Sequence, residues 1–431
     1  MVHSSMMKLI SDTRTQEIRK EVLDRFLRYV QVYTTSDETS ASCPSTPQQW
    51  DLARMLKEEL EELGLSQVEL DENGYVYAVL PGGAGSSDSV PPLGLLAHMD
   101  TSPDQPGEHV KPRVVESYDG GRVPFPDNAD LLLSPANSPE LLDYVGEAIV
   151  TASGTTLLGA DDKAGIAEIM TVLSVLTRDT QLQHPEIRVC FTPDEEIGRG
   201  ADLVQTEKLA HYCYTLDGGR SGELEEENFD AWKARIQFKG VGTHPGTAKD
   251  RMINAAGTAA RYLASLPEWY APEHTEGRDG FIHIHSVNGT MEEAEIVLII
   301  RDFDPANNER ILGILRDTAS LYEVRHPGLT VSVDAVHQYQ NMRFILKDTP
   351  ELAQLAFRAM QDSGVTPIPK PIRGGTDGAR LTYMGHPCPN IFAGGLHFHA
   401  KTEWIAVQAM TEACYTVLHI AARWAAGEGP E

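Results

Sequence analysis

Cysteine is scarce in this sequence. Five of its 431 residues are cysteines, scattered along the chain with no CxxC spacing among them. They are Cys43, Cys190, Cys213, Cys388 and Cys414. An odd number at spread positions argues against a disulfide framework and against a zinc–thiolate site. Any metal ion that the protein binds must therefore be held by histidine and carboxylate side chains.

Long apolar runs and an excess of basic residues are also missing. No apolar run reaches the ~20 residues that a membrane-spanning helix needs. The 63 acidic residues outnumber the 36 basic ones, for a formal net charge of −27, which argues against nucleic acid or an anionic membrane as a partner. The segment Met1–Lys8 has no apolar core of a signal peptide, so we expect a cytoplasmic location.

Predicted strands and helices alternate along much of the chain, which predicts an α/β fold. Strand Leu93–Ala97, helix Lys163–Leu176, strand Ile187–Phe191 and strand Tyr212–Leu216 follow one another. Such alternation is typical of a largely parallel sheet that is covered by helices. Since the chain is too long for one ordinary core, we expect two domains.

The pattern changes between residues 225 and 340. There the sequence predicts a β-α-β-β-α-β order, which is that of a ferredoxin-like α+β unit with its own core. We therefore predict a discontinuous first domain, residues 1–224 and 341–431, with a smaller domain inserted at residues 225–340.

Histidine and acidic residues follow the predicted strands directly. His98-Met99-Asp100 and Glu195-Glu196 each come after an apolar run. Adjacent carboxylates repel one another and are costly to bury, and a divalent cation removes that cost. Ligands of α/β sheets bind at the carboxyl ends of the strands. These observations predict a metal-dependent hydrolase.

A two-metal site requires several such side chains to converge, with one carboxylate shared between the two ions. Taken singly, each candidate suits an ordinary structural role, such as a helix N-cap or a turn. Taken together, they all end core strands or begin core helices of one sheet. The candidates are His98, Asp161 or Asp162, Glu195 or Glu196, Asp217, and His397 or His399.

Seven strings of the sequence, in this order, resemble the M20 metallopeptidases. They are Ala97-His98-Met99-Asp100-Thr101, Gly159-Ala160-Asp161-Asp162-Lys163-Ala164-Gly165, Thr192-Pro193-Asp194-Glu195-Glu196-Ile197-Gly198, Asp217-Gly218-Gly219, His244-Pro245-Gly246-Thr247-Ala248-Lys249, Ile300-Arg301-Asp302-Phe303-Asp304 and Arg373-Gly374-Gly375-Thr376-Asp377-Gly378. The resemblance covers nearly the whole chain. It implies a zinc-peptidase α/β domain, a mixed and largely parallel sheet flanked by helices, with an inserted lid domain through which two copies dimerise.

The resemblance implies two zinc ions per subunit. His98, Asp161 and Asp217 would hold one of them. Asp161, Glu196 and His399 would hold the other, with Asp161 bridging the two. His399 is preferred to His397 because Lys401 and Glu403 flank it as in the family, although Ala400 stands where relatives usually have glycine.

Catalytic and substrate-binding roles follow from the same resemblance. Glu195 would be the general base that takes a proton from the metal-bound water and passes it to the leaving amine. Asp100 would orient the His98 ring. His244, in the inserted domain, would stabilise the oxyanion. Arg301 and Arg373 are candidates for binding the substrate carboxylate, because a guanidinium makes bidentate contacts with it, and an ordinary surface ion pair is the alternative for each. Asn341 is a further candidate for binding substrate.

Two of the strings, His244–Lys249 and Arg373–Gly378, point within the family to an aminopeptidase that releases the N-terminal residue of tripeptides. Another M20 dipeptidase or an N-acyl amino acid deacylase would use the same metals and water. A catalytically silent dimeric binding protein is a third hypothesis, which would require the loss of a ligand or of the base.

Overall fold

The computed structural model describes residues 12–83 and 90–430. Met1–Lys8, on which the prediction about a signal peptide rests, lie outside the described residues. No helix within the described ranges is long and apolar enough to cross a membrane.

Helices and strands are numbered here in chain order. The helices are α1 Asp12–Tyr29, α2 Gln49–Glu62, α3 Ala160–Arg178, α4 Ala255–Leu263, α5 Pro305–Arg325, α6 Arg343–Leu346, α7 Pro350–Asp362, α8 Asp377–Tyr383 and α9 Val407–Arg423. The strands are β1 Ser66–Leu70, β2 Val76–Leu80, β3 Leu93–His98, β4 Arg113–Val115, β5 Ile149–Thr151, β6 Ile187–Thr192, β7 Tyr212–Gly218, β8 Glu223–Glu225, β9 Asp230–Lys239, β10 Phe281–Gly289, β11 Glu293–Asp302, β12 Thr330–Tyr339, β13 Ile368–Pro369, β14 Asn390–Phe392, β15 Gly395–Leu396 and β16 Trp404–Ala406.

The chain forms two compact units. The first comprises Met1–Glu226, Phe344–Lys370 and Thr376–Glu431, and the second comprises Glu227–Arg343 and Pro371–Gly375. The return of the chain to the second unit at residues 371–375 has no counterpart in the predicted boundaries.

An eight-stranded sheet in the order β1-β2-β6-β3-β7-β14-β8-β13 organises the first unit. The pairs β6–β3, β3–β7, β7–β14 and β8–β13 are parallel, whereas β1–β2, β2–β6 and β14–β8 are antiparallel. All six residues of β3 are buried, as expected of a strand that is covered on both faces. The predicted mixed, largely parallel sheet is confirmed.

Helix α3 lies against this sheet and is buried along most of its length. A Cβ atom at Gly165 would lie 2.1 Å from the carbonyl oxygen of Leu216 in β7. Only glycine therefore allows the helix to approach the strand so closely, and this contact places the N-terminal end of α3 near the end of β7. Helices α1 and α9 pack on α3.

A smaller antiparallel sheet, β15-β16-β5-β4, completes the first unit. Its strands have only two or three residues each. They are too short to show a period in the sequence, and none was predicted.

The second unit is a four-stranded antiparallel sheet, β10-β11-β9-β12, with helices α4 and α5. Its element order is the predicted β-α-β-β-α-β. Alternate residues of β9, such as Ala234, Ile236 and Phe238, pack with both helices in one core. The residues between them face away, where Arg235 pairs with Glu295 at 3.1 Å.

Candidate metal centre

The candidate metal ligands lie at one edge of the eight-stranded sheet. His98 ends β3, the Glu195-Glu196 pair follows β6, and Asp217 is near the end of β7. These three strands are neighbours and parallel, so their carboxyl ends meet at the same edge. Asp161 comes from the start of α3, and His399 from the loop after β15.

Two groups of three side chains share Asp161. In the first group, His98 Nε2 lies 2.9 Å from Asp161 Oδ1 and 3.6 Å from Asp217 Oδ1. In the second, His399 Nε2 lies 2.8 Å from Glu196 Oε2 and 3.3 Å from Asp161 Oδ2. Within each group the ligand atoms all lie within 4.8 Å of one another. Each oxygen of Asp161 thus faces a different group.

The structure separates residues that the sequence left as alternatives. His397 is outside both groups, and its Nδ1 lies 3.2 Å from Thr402 Oγ1. Asp162 is also outside them, because its two oxygens accept the backbone N–H groups of His98 and Gly165, each at 3.2 Å.

Burial, together with repulsion from neighbouring carboxylates, destabilises the charged forms of Glu195, Glu196 and Asp217. Burial and the nearby Asp161 raise the pKa of Glu196 to about 8, and burial raises the pKa of Asp217 to about 6. Burial, then the charge of Asp217, raises the pKa of Glu195 well above its usual value. A bound cation would reverse this effect.

The donor atoms fit a metal ion. Glu196 Oε1 is buried and has no hydrogen-bond partner among the residues that the structure describes. Such an arrangement is costly unless a bound group completes it. The donors are imidazole nitrogens and carboxylate oxygens without sulfur, a set that suits zinc and also manganese or cobalt. The five candidates thus fit a metal ion both in geometry and in chemistry.

Asp100 connects its own string, His98-Met99-Asp100, with the Glu195-Glu196 pair. Its Oδ1 accepts the backbone N–H of Glu195 at 2.9 Å, and its Oδ2 accepts that of Glu196 at 3.2 Å. His98 Nδ1 lies 3.1 Å from the Asp100 carbonyl oxygen and 3.3 Å from Oδ1. The main-chain oxygen is thus the nearer partner of the ring, and the carboxylate mainly holds the Glu195-Glu196 turn.

Comparison with known protein families gives a match of residues 157–423 to the model of peptidase family M20/M25/M40. This chain belongs to that family. The resemblance read from the seven sequence strings, and with it the class of enzyme, is confirmed.

Relatives of this M20 peptidase match it over most of its length. Peptidase T of Geobacillus sp. (strain WCH70) is 46% identical over 404 residues, which cover 94% of this chain and 98% of the relative. The crystal structure of aminopeptidase PepT from Bacillus cereus superposes with a TM-score of 0.73 at 23% identity, over 94% of this chain and 99% of that one. A tripeptidase from Staphylococcus aureus gives 0.72 at 22% identity, over 95% and 99%.

Three carboxylates of this M20 peptidase hold the segments that carry the candidate ligands, a role that the sequence did not predict for any of them. They are Asp162, Asp194 and Glu403. Asp194, which is fully buried, accepts hydrogen bonds from Ser45 N at 2.7 Å and from Gln49 Nε2 at 2.7 Å. It thereby ties the turn that carries Glu195 to the first residue of α2 and to the segment before it. No spacing rule reveals an acceptor for main-chain N–H groups, so this role could not be predicted from the sequence.

The four predicted substrate-binding residues all lie in the second unit. The guanidinium of Arg373 donates to the carbonyl oxygens of Gly277 and Asp279, at 3.0 and 2.8 Å, and lies over the Phe229 ring. Arg301 donates to the carbonyl of Trp232 at 3.2 Å.

Asn341 is buried, and its Nδ2 donates to the Phe303 carbonyl at 2.9 Å. His244 follows β9 and accepts the backbone N–H of Gly246 at 3.1 Å. Arg301 pairs in register with Ala231, at the start of β9. Because β9 has ten residues, at ~3.3 Å each, His244 lies at the other end of the sheet. The structure brings Arg301, Arg373 and Asn341 to one end of this sheet and leaves His244 at the opposite end.

Proposed function

We propose that this chain is a tripeptide aminopeptidase that releases the N-terminal residue with the help of two zinc ions. The observation that carries the proposal is the pair of ligand groups that share Asp161, one oxygen in each. The activity follows the curated relatives named Peptidase T, which match nearly the whole chain at 45–46% identity.

His98, Asp161 and Asp217 would hold one zinc ion, and Asp161, Glu196 and His399 the other. Two bound divalent ions supply Lewis-acid activation of water and of the scissile carbonyl. Zinc is the default for a set of imidazole and carboxylate ligands.

The protein's own side chains would then move the protons. Glu195 adjoins the ligand Glu196 but belongs to neither ligand group, so its carboxylate remains available. It would take a proton from the attacking water and later donate it to the nitrogen of the leaving amine. Asp100, through the backbone N–H of Glu195, keeps this carboxylate in place.

The second unit would act as a lid and as the dimerisation domain. Arg301 and Arg373 would bind the carboxylate of the tripeptide, and Asn341 would support them. His244 would stabilise the oxyanion. Since His244 and Arg301 lie at opposite ends of β9, two residues so far apart would meet one short peptide only if they came from different copies. This arrangement supports a homodimer.

A direct comparison of substrates tests the proposed activity. Rates are measured on a free tripeptide, on the dipeptide that lacks its last residue, and on the N-acetylated first amino acid. We expect the tripeptide to be cleaved fastest and chelation of the metal to abolish cleavage. Fastest turnover of the dipeptide would indicate an M20 dipeptidase, and fastest turnover of the acetylated substrate a deacylase. A zinc-loaded protein inactive on all three would support the binding-protein hypothesis.

We also propose a cytoplasmic location. All five cysteines are free, as is usual in a reducing compartment. Fractionation of the producing cells tests this proposal.

A further inference from the structure

We propose that Glu403 is a positioning residue for the metal centre. It holds the main chain at Asp161 so that each oxygen of the Asp161 carboxylate faces one of the two groups of candidate ligands. This inference rests on the proposed function, since it takes Asp161 to be a shared metal ligand.

Glu403 accepts three backbone N–H groups from one loop. Its Oε2 lies 2.7 Å from the nitrogen of Leu158 and 2.7 Å from that of Gly159, and its Oε1 lies 3.1 Å from the nitrogen of Asp161. The side chain is 1% exposed. Hydrogen bonds to a carboxylate are stronger than those between neutral groups, and here they join segments more than 240 residues apart in the chain.

The loop at the start of α3 needs such an acceptor. The first N–H groups of a helix have no partner within the helix, and Asp161 itself has non-helical backbone angles. Gly159, just before the helix, has a φ of +83°, a conformation that side chains other than glycine rarely adopt. The backbone here is not set by regular helix geometry, so the contacts with Glu403 determine where it lies.

His399 and Glu403 belong to the same short loop. The backbone N–H of Glu403 donates to the Ala400 carbonyl at 3.1 Å, which closes a turn between the two side chains. His399 Nε2 approaches Asp161 Oδ2 at 3.3 Å, while Glu403 binds the Asp161 nitrogen. One loop therefore contributes a candidate ligand and also fixes the neighbouring one. A shift of the Asp161 backbone would disturb both ligand groups, because each uses one of its oxygens.

Glu168 offers a matched control for the effect of changing a buried glutamate. It lies on α3 and is fully buried, and within residues 12–83 and 90–430 neither of its side-chain oxygens has a hydrogen-bond partner. Glu168→Gln changes the same chemical group in the same unit without touching the loop at Asp161.

The test compares zinc affinity of the wild-type protein, Glu403→Gln and Glu168→Gln, each stripped of metal and titrated with zinc against a chromophoric chelator. A glutamine keeps the size of the side chain, but its amide NH₂ cannot accept an N–H, so at least one of the three contacts is lost. We expect zinc affinity to fall about 10–100-fold in Glu403→Gln, the range for partners of metal ligands. We expect Glu168→Gln to bind zinc like the wild type. Equal zinc affinity in Glu403→Gln and wild type overturns the positioning role, whereas absence of zinc binding by the wild type overturns the proposed function.

Thermal unfolding separates positioning from general packing. If Glu403 only fills space, Glu403→Gln lowers the unfolding temperature of the metal-free protein and leaves the increase caused by zinc unchanged. We expect that increase to shrink, since stabilisation by a ligand follows its affinity for the folded state. Should Glu403→Gln fail to fold, Glu403→Asp retains the charge but cannot reach all three N–H groups. The same weakening of zinc binding is expected there, and wild-type affinity would contradict the proposal.

Discussion

Asp100 and Glu195 are joined by a hydrogen bond of 2.9 Å, from the backbone N–H of Glu195 to the Asp100 carboxylate. The other oxygen of Asp100 accepts the N–H of Glu196 at 3.2 Å. The backbone of the proposed base, Glu195, and that of the proposed ligand, Glu196, are thus both held by the buried carboxylate of Asp100, just after the neighbouring strand β3. Asp100 therefore has a role toward the Glu195-Glu196 turn in addition to the predicted one toward His98.

Asp100→Asn is expected to lower kcat about 10–100-fold, because an amide offers one acceptor oxygen where the carboxylate offers two. The N–H of Glu195 or of Glu196 then loses its partner, and the turn shifts. Asp51→Asn, at a side chain that is 69% exposed, serves as the control with unchanged kcat. Steady-state kinetics on a tripeptide check this, and a kcat within twofold of the wild type in Asp100→Asn would show that the turn does not depend on Asp100.

Glu195→Gln tests the proposed base. Glutamine has nearly the same shape, keeps the backbone hydrogen bond to Asp100, and cannot take a proton. We expect two zinc ions to remain bound, because Glu195 belongs to neither ligand group, while kcat falls by about 10²–10⁴-fold. Elemental analysis gives the metal content and steady-state assays the rate. A variant that loses zinc together with activity would instead make Glu195 a ligand.

The sheet and the strand-end residues were predictable because each rests on a local pattern. Apolar runs such as that of β3 are buried throughout, and parallel neighbours must end at one edge, which brings His98 and Asp217 together. The choice between His397 and His399 was harder. Both residues have a φ of 58°, and the direction of each side chain depends on a loop conformation that has no periodic pattern in the sequence. The resemblance to a family, rather than the local pattern, indicated His399.

Contacts that join distant segments could not be predicted. Glu403 lies 242 residues from Asp161, and nothing near it in the sequence shows that its carboxylate accepts main-chain N–H groups. The short strands β4, β5, β15 and β16 could not be predicted for the same reason. Their hydrogen bonds come from partners elsewhere in the fold, so two or three residues of sequence carry no pattern.

His397→Ala and His399→Ala form a matched pair, two residues apart in one loop. His399 lies 2.8 Å from Glu196 and 3.3 Å from Asp161, whereas the partner of His397 is a threonine hydroxyl. We expect His399→Ala to lose the zinc ion of the second group and nearly all activity. We expect His397→Ala to retain both zinc ions and most of its activity. Metal content per chain checks this, and the opposite result would make His397 the ligand.

Arg25 connects three helices of the first unit through its guanidinium. From α1 it contacts Glu59 of α2 at 2.6 Å and Glu21 of its own helix at 2.7 Å, and it donates to Thr171 of α3 at 3.2 Å. Although burial raises the pKa of both glutamates, hydrogen bonds hold them below the ordinary value of 4.5. These bonds come from Ser174 and Arg25 for Glu21, and from Tyr29 and Arg25 for Glu59.

Arg25→Met is expected to destabilise the protein by about 3 kcal/mol at pH 7, the lower end for breaking a buried ion pair, because Arg28 and Arg178 still pair with the glutamates. The pKa values of Glu21 and Glu59 are lowered in the folded protein. This stabilisation is therefore present above pH 4.5 and is lost as the pH falls through those lowered pKa values. The difference between Arg25→Met and wild type should therefore shrink below pH 4.5. Urea unfolding at pH 7, 5 and 4 in excess chelator measures it, with Arg54→Met, in an exposed pair with Asp51, as a control that shifts stability by at most about 0.5 kcal/mol. A loss that is equally large at pH 4 would mean that Arg25 acts by packing rather than by its charge.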